Sequence, residues 1–338
     1  MYVSSILYIF SCILFQAHIP ITLPPMTHLK TVQGIRIPSF FPDDAVLSAL
    51  AYKPRPGDIF ITSYPKSGTT WVQNIVYGIL HDGKPLNDVD QLLTESPFLE
   101  LFGAEAATSD PQPPTIKTHL PFDEERFSPH AKYIYVVRNP YDVCVSGYHQ
   151  AIVQTMNVRG RADLETYLRH FMEGTASFGR YFEDSLLPWY ERRNDSNVLF
   201  LTYENLHANI KVQVTRIAYF LGEEHGHRIS NDPAFLQRVI DMTTKESMRS
   251  IFRGVVRASV EFAVSYRTRR GMVVPDELQN ALSFFRSKPL RYEFIREGAV
   301  KSYKNILSDK QKKMLKEWIS VKTAGSDVMK IWNTTGLP

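Results

Sequence analysis

Tyr64-Pro65-Lys66-Ser67-Gly68-Thr69-Thr70-Trp71 joins two runs of different character. Ahead of it, Asp58-Ile59-Phe60-Ile61-Thr62-Ser63 is short, apolar and β-branched and is opened by Pro56-Gly57, which reads as a strand after a turn. Behind it, Val72 to Leu80 repeats apolar residues at helical spacing. The order is therefore strand, tight loop, helix. In such a unit the loop amides and the first N–H groups of the helix converge on one spot, and the helix dipole adds positive potential there. Lys66 adds a full charge, Gly68 permits close backbone approach, and Thr69 and Thr70 offer hydroxyl donors. The stretch is a phosphate cradle. It departs from the nucleoside-triphosphate loop G-x-x-x-x-G-K-[ST], because Lys66 precedes Gly68, and no acidic strand end for magnesium is evident. No metal is expected.

Two further stretches carry chemistry. Thr115 to His119 reads as a strand ending at Leu120-Pro121, and its period of two puts Lys117 and His119 on one face. Paired basic groups at a strand end suit stabilising an anionic transition state and taking a proton from a nucleophile. Tyr133 to Arg138 has a buried-strand pattern, followed by Asn139-Pro140-Tyr141-Asp142 and a helical run from Val143 to Val153. Arg138 at the strand end and Ser146 two turns into the helix can face one phosphate, by guanidinium fork and by hydroxyl. Cys144 on that helix reads as a small core filler. With 338 residues, 43% hydrophobic and 12% aromatic, the chain can bury a large core as one α/β domain or two smaller ones. Lys and Arg number 39 against 35 Asp and Glu, a net charge of +4 that is too mild to argue for nucleic acid and suits a polyanionic small ligand. Cys12 and Cys144 are the only cysteines, which disfavours a disulfide framework and favours a reducing compartment.

YPKSGTTW resembles the 5′-phosphosulfate loop of the cytosolic sulfotransferases, which use 3′-phosphoadenosine 5′-phosphosulfate (PAPS). Lys117 to Pro121 is similar to the family's KTHLP segment, and VVRNPYDVCVSGYH from Val136 to His149 resembles its 3′-phosphate motif. The resemblance runs from Gly34 to Trp318. It implies one α/β domain with a central, mostly parallel sheet flanked by helices and a P-loop-like phosphosulfate loop from Lys66 through Ser67, Gly68, Thr69 and Thr70. It also implies transfer of a sulfuryl group from PAPS to a hydroxyl or amine of a small, apolar acceptor such as a phenol, catecholamine or steroid. His119 would be the base, Lys66 would neutralise the departing phosphate oxygen, and Lys117 would steady the equatorial sulfuryl oxygens. Ser146 could restrain Lys66 before the acceptor binds. Trp71, Tyr203 and Thr243 align with adenine contacts, although Lys245 stands where the family usually has phenylalanine. Arg296 and Gly298 match the segment RKGxxGDWKN, in which Glu297 replaces a lysine. On the acceptor side, Phe40 can wall a hydrophobic pocket or be plain core. Phe98 falls on an aromatic acceptor contact, and Gln150 stands where phenol-selective relatives carry an aromatic.

The remainder is less like the family. Residues 1–25 form an apolar leader or extension, read either as lying outside the fold or as a membrane-directing segment; it lacks a basic region and cleavage site for a signal peptide, and Gln16, His18 and Pro20 interrupt it. Residues 26–338 are then the sulfotransferase domain. Residues 249–295 are Arg-rich and longer than usual, with an inserted helix from Pro275 to Phe285, and read as a surface loop with solvated arginines or as a cover over the site. The helical spacing from Arg161 to Arg193 carries aromatics read as packing. The family's dimer motif is degraded around Lys304 to Lys313, which leaves a homodimer open. A cytoplasmic location is expected. The rival readings are a small-molecule kinase, a membrane-anchored Golgi-type sulfotransferase, and a non-catalytic nucleotide-binding relative.

Overall fold

The computed structural model describes residues 29–154, 163–287, 295 and 298–337. The leader 1–25, the boundary at Met26, and Arg296 with Glu297 lie outside the described residues. A hairpin of β1 (Leu29–Val32) and β2 (Ile35–Pro38) turns at Gln33-Gly34, both at positive φ. Phe40 and Phe41 lead from it into α1 (Asp43–Ala51). Pro42 occupies the cap without a side-chain acceptor, and Asp44 bonds the adjacent Ala45 amide instead of capping from outside.

The main sheet contains β3 (Ile59–Thr62), β4 (Ile116–Thr118), β5 (Lys132–Val137) and β6 (Val198–Thr202), all parallel, in the order β4-β3-β5-β6. β5 is buried along nearly its whole length, as expected of a strand covered on both faces. Helices α2 (Thr69–Leu80) and α3 (Leu99–Phe102) lie between β3 and β4, and α4 (Pro140–Gln154) follows β5. The chain steps from β3 to β4 on one side and then crosses to β5 on the other. In open α/β sheets, ligands bind at the carboxyl ends of strands beside such a reversal. The register pairs Thr62 with Thr118 and Tyr135, and Val137 with Thr202. Ser63, His119, Arg138 and Tyr203 therefore all leave the sheet along one edge.

The helical spacing read from Arg161 to Arg193 resolves, within the described residues, into separate pieces. α5 (Leu164–Glu173), capped by Asp163, stops at Gly174, whose φ of 74° is left-handed. Helical structure resumes in a π-helical turn from Phe182 to Leu186. Beyond β6 come α6 (Ile210–Leu221) and α7 (Pro233–Met242), whose apolar faces share a core with α2. Next are α8 (Lys245–Ile251), α9 (Val255–Arg269) and α10 (Asp276–Ser287). The stretch read as a possible loop is thus a helical hairpin. Arg267 is not solvated: it is buried, pairs with Asp44 at 2.6 Å and donates to the Val273 carbonyl. α11 (Asp309–Lys322) starts from a capping box made by Ser308 and Gln311.

Candidate active site

The carboxyl edge of the sheet opens on a cavity of about 490 Å³. The cradle forms one wall. Lys66 has φ 72° and Gly68 φ 110°, two departures within three residues that curl the backbone before α2 begins at Thr69. A Cβ on Gly68 would lie 2.8 Å from Tyr203 Cδ2, so only glycine fits between loop and ring. Thr69 and Ser63 share a hydrogen bond of 2.6 Å, which ties the start of the helix to the end of β3. Lys66, Gly68, Thr69, Thr70 and Trp71 line the cavity. Ser67 does not: it is buried behind the loop, and its hydroxyl has no partner in the protein.

β4 supplies the second wall. Lys117 and His119 both line the cavity, as alternation along a strand requires. His119 Nδ1 lies 2.8 Å from the Ser63 carbonyl. A carbonyl only accepts, so Nδ1 carries the proton and Nε2 keeps the lone pair of the neutral ring. Burial pushes the imidazole well below its ordinary value, with Lys117 and then Lys66 adding charge repulsion. Burial likewise lowers Lys117 to about 8, against the opposing pull of Glu100. The arrangement provides a neutral base beside two ammonium groups.

At the end of β5, Arg138 donates to the Ala299 carbonyl at 2.9 Å, and its guanidinium carbon lies 4.3 Å from the centre of the Tyr203 ring. Asp142, one turn into α4, is fully buried and accepts from the amides of Lys301 and Tyr303 and the hydroxyl of Ser302. The returning segment is thereby pinned beside Arg138, where Gly298 also lines the cavity. Ser146 faces the same space from α4. Trp71 and Tyr203 meet edge to face at 5.3 Å. Thr243 is buried at the end of α7 with its hydroxyl donated to Ile240, which leaves the oxygen able to accept. Lys245 lines the cavity too, and its aliphatic stem lies alongside Gly298, 3.5 Å from where a Cβ there would sit, so it can serve as an apolar wall in place of the expected ring. Trp71 Nε1 and Arg138 Nε are buried polar atoms without a protein partner, which suits a polar ligand at this end. Among the described residues, no group of three His, Cys, Asp or Glu could hold a metal ion.

The far end of the cavity is aromatic. Phe40 contacts Phe41, Phe41 contacts Phe98, and Phe98 meets the His119 ring edge to face at 5.2 Å. Phe178 closes the circuit at 5.6 Å from His119. Phe252, which caps the end of α8, and Val255, Val256 and Ser259 of α9 line the same space, and Gln150 lines it too, with a buried, unpartnered Oε1. Sequence reasoning missed Phe178, Phe41, Ser63, Glu100 and Asp142. Phe178 lay among aromatics read as packing. Asp142 had a signal, an acid three residues after Asn139, but its partners lie some 160 positions downstream.

A family model described as Sulfotransferase domain matches residues 56–253. Sulfotransferase 1B1 of Mus musculus is 35% identical over 59% of this chain and 67% of its own length. Sulfotransferase 2B1 of Mus musculus is 37% identical over 57% of this chain and 59% of its own length. The solved structure of mouse sulfotransferase SULT7A1 complexed with PAP is 25% identical and superimposes with a TM-score of 0.65, covering 90% of this chain and 98% of that one. With more than half of its length matched by the family model and the cradle at Lys66 inside the matched span, the chain belongs to the sulfotransferase family.

Proposed function

We propose that the protein transfers a sulfuryl group from PAPS to a hydroxyl or amine of a small, apolar acceptor, with His119 as base. One observation carries the reading: the cradle at Lys66, the basic pair Lys117 and His119, and Arg138 with Ser146 all line a single cavity, although they come from three separate strand ends. Two anion-binding corners fit a nucleotide bearing separate 5′ and 3′ groups, and the related SULT7A1 structure contains PAP. PAPS supplies the sulfuryl group; the chain supplies position and charge. His119 Nε2 takes the acceptor proton, and the ring stays neutral beforehand because Nδ1–H is committed to Ser63. Lys66 faces the charge that develops on the departing phosphate oxygen, and Lys117 faces the sulfuryl oxygens. Trp71, Tyr203 and Thr243 hold the adenine, while Arg138, Ser146, Gly298 and Arg296 hold the 3′-phosphate. The circuit of Phe40, Phe98 and Phe178 favours a flat apolar acceptor whose hydroxyl points at His119.

The test is His119→Ala. Transfer to a phenol panel should fall by about three orders of magnitude or more, the scale of a lost general base plus lost positioning. PAP affinity by titration calorimetry should change little. Near-normal turnover would remove His119 from the role of base. A cytoplasmic location is part of the same proposal, supported by the likeness to cytosolic relatives and by the buried, unpaired Cys144. Among the described residues, no helix is long and apolar enough to cross a membrane.

A further inference from the structure

We propose that Glu100 is a positioning residue of the transfer site: one carboxylate oxygen fixes the main chain that carries His119, and the carboxylate charge steadies the ammonium of Lys117. The inference rests on the roles just assigned to those two residues. Glu100 is completely buried on α3, where an ionisable side chain without partners would be costly. Its Oε1 accepts the His119 amide, and Oε2 has no hydrogen-bond partner in the protein. The segment leading into α3 docks along β4: the Lys117 amide donates to the Pro97 carbonyl, and Phe98 forms a parallel bridge with Lys117. In that register Phe98 lies under the Lys117 ammonium at 4.2 Å and against the His119 ring. Two residues on, Glu100 reaches the His119 amide. One short segment thus holds both basic groups.

The other charged groups near α3 are engaged elsewhere. On α1, Asp43 pairs with Lys30 and Asp44 with Arg267. Glu105, on the short helix that follows α3, interacts with Tyr266. The groups acting on Glu100 are the His119 amide, its own backbone amide, Lys117 and the Thr118 hydroxyl. Burial raises its carboxyl to about 7, and the field of Lys117 opposes that rise. The fixed geometry and the opposite charges together make Glu100 and Lys117 a unit.

The test uses the full chain and the pH dependence of kcat/KM. Glu100→Gln keeps an oxygen for the His119 amide and removes the charge, so the alkaline limb set by Lys117 should move down by about one pH unit, the effect of one nearby opposite charge. PAP affinity should stay within about twofold, because the nucleotide corners lie at Lys66 and Arg138. Glu100→Asp keeps the charge but shortens the reach; kcat should fall at least about tenfold while the limb stays in place. If Glu100→Gln does not fold, the aspartate variant decides: a limb that moves, or an unchanged kcat, overturns the proposal. An unmoved limb in a folded Glu100→Gln variant does the same. Lys117→Arg separates the two levels. Should the limb persist in that variant, Lys117 does not set it and the underlying reading fails. Should it vanish there yet stay put in Glu100→Gln, only the role of Glu100 fails.

Discussion

Gly68 shows what a single residue decides in this site. Its left-handed φ excludes side chains at a cost of about 1–3 kcal/mol, and the ring of Tyr203 fills the space a methyl would need. Gly68→Ala should therefore lower PAP affinity by at least about tenfold in titration calorimetry, even if the fold survives. At the opposite wall, the direction of two shifts fixes the pH profile. His119 lies well below 6.5, so it is already an unprotonated base at neutral pH and the acid limb of kcat/KM falls below that value. Lys117 loses its proton near 8, so the rate should decline above that pH. The stability profile runs the other way. Between about 8 and 10.5 the unfolded chain binds more protons at Lys117 than the folded one, and stability should rise with pH through that window while activity is lost. Urea midpoints and initial rates measured across the same range check both signs. These residues were readable in advance because each sits in a short contiguous motif whose chemistry is local. Glu100 and Phe178 were not, since a buried acid and a phenylalanine acquire their roles only from partners that folding brings alongside.

Among the elements, the parallel register places the site and the start of α4 tethers it. Asp142 receives three hydrogen bonds from residues 301–303, and Asn139 joins it to the buried Glu204. Removing the carboxylate would orphan two amides and a hydroxyl beside Arg138. Asp142→Ala should cost about 2–4 kcal/mol in chemical denaturation, in line with hydrogen bonds to a buried charge, and should weaken PAP binding through the loosened return segment. Asp142→Asn, which keeps an acceptor, should cost less. An unchanged denaturation midpoint in the alanine variant would mean that the segment is held by packing instead. Strand and helix types were legible from period and flanking turns: β3 and α2 lie where Ile59 to Thr62 and the run to Leu80 pointed. Boundaries and breaks were less so. Gly174 ends α5 inside a stretch whose apolar spacing continues, because periodicity records which faces are buried and does not record a change of backbone hand at one residue.

For the molecule as a whole, the proposed nucleotide corners draw on β3, β5, the start of the helix after β6, α7 and the return segment near residue 299, so a nucleotide held there would bridge parts that are far apart in sequence. The C-terminal segment joins the same structure. Trp332 is buried and donates its indole N–H to Glu204 at 2.8 Å, and Glu204 in turn accepts from Asn139 next to Arg138. A ligand that binds the folded chain and not the unfolded one stabilises it by mass action, about 2.7 kcal/mol at a hundred times its dissociation constant. PAP should raise the melting temperature accordingly. ATP, which lacks a 3′-phosphate for Arg138 and Ser146, should do so less at equal concentration, with or without magnesium. Trp332→Phe should narrow the gap between the two ligands: it removes one donor from Glu204 and relaxes the chain of hydrogen bonds that ends at the 3′ corner, while leaving the cradle at Lys66 untouched. Equal stabilisation by PAP and ATP in the native protein would sink the two-corner reading. A Trp332→Phe variant that keeps the full difference would instead sever the C-terminal segment from nucleotide recognition.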